Sequence, residues 1–264
     1  MTNLISQAFK DNKKKLVTFV TGGDPDFETS LQIIKTIINN GADIIEIGMP
    51  FSDPMADGPT IQLSSNRAIS RGIDLENIFS LASEAKKTKS DLPIILMGYY
   101  NLILYFGIEK FVKKCKINGV DGLIIVDLQP EEDEDLINEL KKNEIDLIRL
   151  ITPTTDEARL KLILKNASGF LYYVSVMGIT GQKSADLNDL EKSVAFIKKH
   201  TNLPLVPGFG IKNSTDVNNI CKIADGAVVG SSIIKIIEEN LNNRDKMLSE
   251  INKFSKDLKD GTKI

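Results

Sequence analysis

A carboxylate interrupts an apolar run near residue 46. The run Asp43 to Gly48 has the sequence Asp-Ile-Ile-Glu-Ile-Gly, and strand alternation places Ile44, Glu46 and Gly48 on one face. Burial among apolar side chains disfavours the charged form of a carboxyl group and raises its pKa, which suits a group that donates a proton near neutral pH. Glu46 is therefore a candidate general acid, and a buried ion pair is the structural alternative.

A second carboxylate lies on the loop that follows this run. The segment from Met49 to Pro59 contains three prolines and a glycine, so we expect Asp57 to be presented to a site rather than packed in the core. The alternative is a simple turn residue ahead of Gly58.

Two glycine-containing turns are candidate phosphate sites. Pro207-Gly208-Phe209-Gly210 follows a predicted strand, and Gly230-Ser231-Ser232 follows the next one and opens a predicted helix. Backbone amides and a helix N-terminus at such positions can hold a phosphate group. The two turns together predict a phosphorylated small substrate, and ordinary strand-to-helix turns are the alternative.

A further glycine pair borders a polar loop. Gly178-Ile179-Thr180-Gly181 precedes the polar stretch Gln182 to Asp186. The pattern fits a lid that closes over a site and excludes water, and it fits a passive surface loop equally well.

Eight short runs rich in Val, Ile and Leu alternate with amphipathic stretches, which predicts a parallel sheet covered by helices. The predicted strands are 16–20, 43–48, 93–98, 122–127, 146–151, 170–175, 203–207 and 226–230. The predicted helices are 26–39, 75–87, 108–116, 131–142, 155–165, 187–199, 214–221 and one from about 232. Eight such repeats predict an α/β fold, a single (β/α)8 TIM barrel, with an open doubly wound sheet as the alternative.

Two more helices are expected outside the eight repeats. An extra N-terminal helix covers residues 3–9, with Thr2 as its N-cap, and an extra C-terminal helix covers residues 247–258. The 264 residues are expected to form one domain, 1–264. In such a barrel the active site is built from loops at the carboxyl ends of the strands.

Composition narrows the function classes. The formal net charge is -3, from 33 basic and 36 acidic residues, so no strong positive field favours nucleic acid as a partner. The sequence has no apolar run long enough to cross a bilayer and no N-terminal signal-peptide pattern, so we expect a soluble protein without a membrane partner. With one histidine, His200, and two isolated cysteines, Cys115 and Cys221, a histidine-rich metal site and a disulfide framework are both excluded.

The string from Glu46 to Pro59 resembles the signature of the tryptophan synthase α subunit family, and the resemblance covers essentially the whole chain. Further segments are similar to other motifs of that family and occur in the same order: Phe19 to Pro25, Met97 to Asn101, Ile151 to Thr155, Tyr172 to Gly181 and Gly208 to Ile211.

The resemblance implies retro-aldol cleavage of indole-3-glycerol phosphate to indole and glyceraldehyde 3-phosphate, a carbon–carbon lyase reaction that uses no metal and no organic cofactor. It implies that Glu46 protonates the indole ring at its third carbon and that Asp57 stabilises the positive charge on the ring nitrogen. By the same resemblance, Phe19, Ile124, Val126 and Phe209 wall the indole pocket, Tyr172 and Thr180 lie near the carboxylates, and Gly181, Gly210, Gly230 and Ser231 hold the phosphate.

The resemblance also implies an α2β2 complex, in which a β subunit binds pyridoxal phosphate and receives indole for tryptophan biosynthesis. Residues 50–55 and Asn101 would lie near that partner. Gln129 replaces a proline of many members and Val176 an arginine of some, which leaves interface strength and lid coupling open. The expected location is the cytoplasm, or the plastid stroma if the chain is encoded in an organelle.

Two other functions remain open from the sequence. One is a different barrel enzyme that acts on a phosphorylated sugar or anthranilate derivative, such as an isomerase of histidine or tryptophan biosynthesis. The other is a non-catalytic regulatory subunit that binds a phosphate ligand and activates a β partner.

Overall fold

A single parallel β-sheet forms the centre of the described structure. The computed structural model describes residues 3–174, 187–208 and 210–264. Its strand segments are β1 (Lys15–Thr21), β2 (Ile44–Gly48), β3 (Ile94–Gly98), β4 (Gly122–Ile125), β5 (Asp146–Leu147), β6 (Arg149–Ile151), β7 (Leu171–Val174), β8 (Leu205–Gly208) and β9 (Gly226–Val229). All the pairings are parallel, and the segments follow the order β5-β4-β3-β2-β1-β9-β8-β7-β6.

The sheet closes into a barrel through its two end segments. β5 and β6 are consecutive in the chain and are separated only by Ile148, whose amide donates a hydrogen bond to Leu123 O at 2.9 Å. The nine segments therefore make eight strands, of which the fifth is divided at Ile148. The predicted TIM barrel is confirmed, and the open doubly wound sheet was the wrong alternative.

Within the described residues, helices follow the strands as the predicted repeats require. They are α1 (Leu4–Ala8), α2 (Phe27–Asn39), α3 (Pro59–Ser70), α4 (Leu75–Thr88), α5 (Tyr100–Phe106), α6 (Ile108–Ile117), α7 (Glu134–Asn143), α8 (Glu157–Leu164), α9 (Leu187–Lys198), α10 (Ser214–Ile223), α11 (Ser231–Glu239) and α12 (Arg244–Asp260). A 3₁₀ turn at Pro130–Glu132 precedes α7. Among these helices, none is long and apolar enough to span a membrane.

The two extra helices are present, with one difference at the N-terminus. The N-cap of α1 is Asn3 rather than Thr2, since the Asn3 side chain accepts from the Ile5 amide at 2.9 Å. Ile5 is fully buried and packs into the barrel interior from below. The interior layer that it closes consists of Val17, Ile44, Ile95, Ile124, Ile148, Phe170, Val206 and Val228.

A repeated polar contact fastens the amino ends of the strands. An aspartate just before a strand accepts from the backbone amide at the start of a neighbouring strand and pairs with a lysine from a helix. The three instances are Asp43 with the Leu16 amide and Lys259, Asp121 with the Ile94 amide and Lys86, and Asp225 with the Leu205 amide and Lys198. The amino end of the barrel is thus held by buried or half-buried charge-assisted bonds.

Candidate active site

A cavity of about 540 Å³ lies at the carboxyl ends of the strands, directly above the interior layer. On seven of the eight strands, the residue two positions after an interior residue lines this cavity, because a two-residue step keeps the same face. The pairs of interior and cavity-lining residues are Val17 and Phe19, Ile95 and Met97, Ile124 and Val126, Ile148 and Leu150, Phe170 and Tyr172, Val206 and Gly208, and Val228 and Gly230.

Glu46 occupies the equivalent position on the remaining strand. It follows the interior residue Ile44 by two positions on β2, and its ladder neighbours are Phe19 on β1 and Ile95 on β3. The side chain has no exposed surface, so it is covered rather than part of the open cavity wall. Neither carboxyl oxygen has a hydrogen-bond partner among residues 3–174, 187–208 and 210–264.

Burial raises the pKa of Glu46 from 4.5 to about 8. The cause is desolvation, because the charged form cannot recover the hydration that it loses in the barrel interior. Glu46 is therefore protonated at neutral pH. The buried ion pair that the sequence left open is not formed with any described residue.

Asp57 lies on the loop between β2 and α3, where it lines the cavity. Its Oδ2 accepts a hydrogen bond from Tyr99 Oη at 2.9 Å, and Tyr99 Oη accepts from the Ala56 amide at 3.0 Å. Burial raises the pKa of Asp57, and the bond from Tyr99 partly opposes that rise. The carboxylate is thus held in a defined orientation toward the cavity.

Tyr99 is a site residue that the sequence reasoning did not single out. It is buried, it follows β3 directly, and its ring stacks on Phe51 with a centroid distance of 5.1 Å. The available signal was its place at the carboxyl end of a predicted strand, inside the motif Met97 to Asn101.

Tyr172 lies within the electrostatic influence of both carboxyl groups. Burial raises its pKa well above 10, and the nearby charges of Glu46 and Asp57 raise it further. Its ring fills the space beside Gly208, where an added Cβ would lie 2.5 Å from Tyr172 Oη. Gly48 leaves similar room for Phe19, since a Cβ there would lie 2.7 Å from that ring. The two glycines admit the aromatic walls of the cavity.

A further part of the cavity wall is made of glycine and serine. Gly210, Gly230, Ser231 and Ser232 line it, and Ser231 is the first residue of α11. Ser232 Oγ donates to Ile211 O, which ties the start of α11 to the turn after β8. A helix N-terminus with free amides offers a site for an anionic group.

The remaining predicted site residues fall in two groups. Ile124 lies one layer below the cavity wall, in the interior layer, and Val126 occupies the wall position on that strand. Thr180, Gly181 and Phe209 lie outside the described residues, as does Val176. In the part of the chain that the structure describes, no group of three His, Cys, Asp or Glu side chains could hold a metal ion.

The fold is a closed β/α barrel with a cavity at its carboxyl end. The cavity combines apolar walls with a helix N-terminus, and a buried, protonated carboxyl group lies beside it. These features define the class of barrel enzymes that act on a small anionic substrate. The family model described as tryptophan synthase alpha chain matches residues 5–263. The chain therefore belongs to the tryptophan synthase alpha chain family.

Individual relatives agree with this assignment. A tryptophan synthase alpha chain of Petrotoga mobilis (strain DSM 10674 / SJ95) is 46% identical over 255 residues, which cover 97% of this chain and 98% of that protein. The crystal structure of tryptophan synthase subunit alpha from Legionella pneumophila str. Paris has a TM-score of 0.92 at 32% identity and covers 99% of both chains. A structure from Aquifex aeolicus VF5 has a TM-score of 0.88 at 37% identity and covers 98% of this chain and 99% of that one.

The chain is accordingly a carbon–carbon lyase. It catalyses the α reaction of tryptophan synthase, which is the cleavage of indole-3-glycerol phosphate. Membership of this family implies a β subunit as its protein partner.

Proposed function

We propose that Glu46 is the proton donor and Asp57 the stabilising anion of this cleavage, within one barrel domain spanning residues 1–264. The observation that carries the proposal is the Glu46 carboxyl group, which is fully buried, unpaired within the described ranges and raised in pKa to about 8. A carboxylic acid in that state can transfer its proton to a carbon atom at neutral pH.

The proposed steps conserve protons and electrons. Glu46 protonates the third carbon of the indole ring, and the ring nitrogen becomes a positively charged iminium. The Glu46 carboxylate then takes the proton of the hydroxyl group on the adjacent glycerol carbon. The carbon–carbon bond breaks as that carbon becomes an aldehyde, and the bonding electrons return to the ring and neutralise the iminium.

Asp57 supplies the negative charge that this intermediate requires. A carboxylate that is fixed before the reaction stabilises developing positive charge without reorganising solvent. The hydrogen bond from Tyr99 holds Asp57 beside the apolar part of the cavity, where the effective dielectric constant is low. These residues need no metal and no organic cofactor for the proposed steps.

The cavity has the two halves that the substrate needs. Phe19, Val126 and Tyr172 present an apolar surface for the indole ring. We propose that Gly210, Gly230 and Ser231 bind the phosphate group, together with Gly181. We propose that Thr180 and Phe209 complete the surroundings of the ring, with Ile124 in the layer beneath the cavity wall. Glu46 has no exposed surface and does not line the cavity, so its proton transfer requires a movement that brings the carboxyl group into contact with the substrate.

We also propose that the chain works in an α2β2 assembly, in which a β subunit that binds pyridoxal phosphate receives the indole. Exposed apolar side chains beside the cavity loops support a docking surface there. Met55 on the loop after β2 is 84% exposed, and Tyr105 on α5 is 93% exposed. Apolar surface at the rim of a site is typical of a protein interface.

The decisive experiment is indole release from indole-3-glycerol phosphate by Glu46→Gln, measured alone and with the β subunit. We expect the rate to fall at least about 10³-fold, because the amide cannot donate a proton to carbon. Unchanged circular dichroism provides the folding control. Retained indole release in the variant would refute the role of Glu46. If the wild-type chain releases no indole and only activates the β subunit, its function is regulatory instead.

A further inference from the structure

Helix α3 is weakly held by apolar packing, although it begins two residues after Asp57. Its buried side chains are small ones: Ser64, Ser65 and Ala68. Helix α2, of similar length, buries four isoleucines: Ile33, Ile34, Ile37 and Ile38. Because apolar burial is the main force that docks a helix on a barrel, α3 needs another anchor.

That anchor is a buried carboxylate in the segment after β1. Arg67 Nε and Nη2 donate to the two oxygens of Asp24, each at 2.8 Å, and Ser64 Oγ donates to Asp24 Oδ2 at 2.9 Å. Asp24 is 1% exposed. Ser64 and Arg67 are three positions apart, so they share one face of α3. A bidentate arginine–carboxylate pair fixes orientation as well as distance, so α3 is attached to the end of β1 in one geometry.

The first turn of α3 is in turn connected to Asp57. The Gln62 side-chain amide donates to Asp57 O at 2.8 Å, and the amides of Ile61 and Gln62 both donate to Gly58 O. Ile61 and Gly58 also line the cavity. Any displacement of α3 therefore moves the backbone that carries Asp57 and changes the cavity wall.

We propose that Asp24 and Arg67, assisted by Ser64, are positioning residues for Asp57. Their contact sets where α3 begins and so sets the distance between the Asp57 carboxylate and the ring nitrogen of the substrate. This inference rests on the role of Asp57 proposed above. Since a misplacement of about 1 Å can reduce a rate about 10²-fold, the pair controls the chemical step more than substrate binding.

The test compares Arg67→Met with Lys86→Met in the full chain with the β subunit present. Lys86 pairs with Asp121 at 2.8 Å, and its side chain is 16% exposed, close to the 20% of Arg67. The pair lies at the amino end of the barrel, away from the cavity. We expect Arg67→Met to lower kcat for indole release at least about tenfold with KM changed less than about threefold. Lys86→Met should leave both constants near wild type. Equal kinetics in the two variants would overturn the proposal.

Two further measurements keep the test valid if Arg67→Met folds poorly. Arg67→Lys retains the charge and loses the bidentate geometry, so it should show the same loss of kcat to a smaller extent. Amide hydrogen exchange should accelerate in residues 49–70 of that variant and stay unchanged in β1 and β2. Unchanged exchange and unchanged kcat would refute the positioning role.

Asp57→Asn, assayed alongside, separates this inference from the proposed function. Full activity in Asp57→Asn would refute the role of Asp57. A large loss there, combined with wild-type kcat in Arg67→Lys, would refute only the positioning pair.

Discussion

The carboxyl group of Glu46 titrates in different pH ranges in the folded and the unfolded chain. Its ordinary pKa is 4.5, and burial raises the pKa in the folded state to about 8. Between these values the unfolded chain ionises at residue 46 while the folded chain keeps the proton. The folded state therefore loses stability as pH rises from about 4.5 to about 8, and the loss is complete above that range.

We predict that Glu46→Gln removes this pH dependence. Each pH unit in the window corresponds to about 1.4 kcal/mol, so the variant should gain stability relative to wild type by about 4 kcal/mol between pH 5 and pH 9. The measurement is urea unfolding of both proteins at pH 5, 7 and 9. Glu191→Gln, at an exposed position on α9, serves as the control. A difference in stability that is the same at all three pH values would contradict the prediction.

Tyr99 offers a second test at the scale of one atom. Tyr99→Phe removes the hydroxyl that donates to Asp57 and accepts from the Ala56 amide, while the ring that stacks on Phe51 stays. We expect kcat for indole release to fall about 10- to 100-fold, because Asp57 loses its orientation and a hydrogen bond to a charged group contributes about 1.5–3 kcal/mol.

The matched control is Tyr105→Phe, which makes the same chemical change at a side chain that is 93% exposed. It should leave the steady-state constants of the chain without its partner unchanged. Equal kinetics in Tyr99→Phe and Tyr105→Phe would show that the hydroxyl of Tyr99 does not matter.

Elements whose apolar pattern reflects their burial could be predicted from the sequence. The positions of all eight strands were predicted, because runs such as Ile44 to Ile47 are mostly apolar and are buried on both faces of a parallel sheet. The division of the fifth strand at Ile148 was not, because the apolar pattern continues through it. Two helices were also missed. α3 buries serine and alanine, and α5 is apolar along nearly its whole length, so neither has an amphipathic period.

The same limit applies to the candidate site. Glu46 stood out because a carboxylate in an apolar strand is a local anomaly, and the glycine turns stood out by composition. The contact of Tyr99 with Asp57 and that of Arg67 with Asp24 join residues more than forty positions apart. Neither contact leaves a local pattern, because the closure of the barrel alone brings those elements together.

Across the whole molecule, the two ends of the barrel differ in chemistry. The amino end is closed by α1 and held by three aspartate–lysine contacts. The carboxyl end holds the cavity, a carboxyl group left without a partner among the described residues, and loops with exposed apolar side chains. The contacts that stabilise the fold and the proposed active site thus lie at opposite ends, as in other β/α barrels.

This division predicts a change that affects stability without affecting catalysis. Ile5 is fully buried beneath the interior layer, where it also packs against Gly122 and Gly169. Ile5→Ala should leave a cavity at the base of the barrel and lower the free energy of unfolding by about 2–5 kcal/mol. Ile117→Ala, at an 80% exposed position on α6, should change it by less than about 0.5 kcal/mol. Urea unfolding measures both free energies, and indole release at 25 °C should retain the wild-type kcat and KM in each variant.

The contradicting outcome is a reduced kcat in Ile5→Ala, in a sample that is fully folded at the assay temperature. It would mean that the base of the barrel transmits strain to the cavity and that the two ends are not independent.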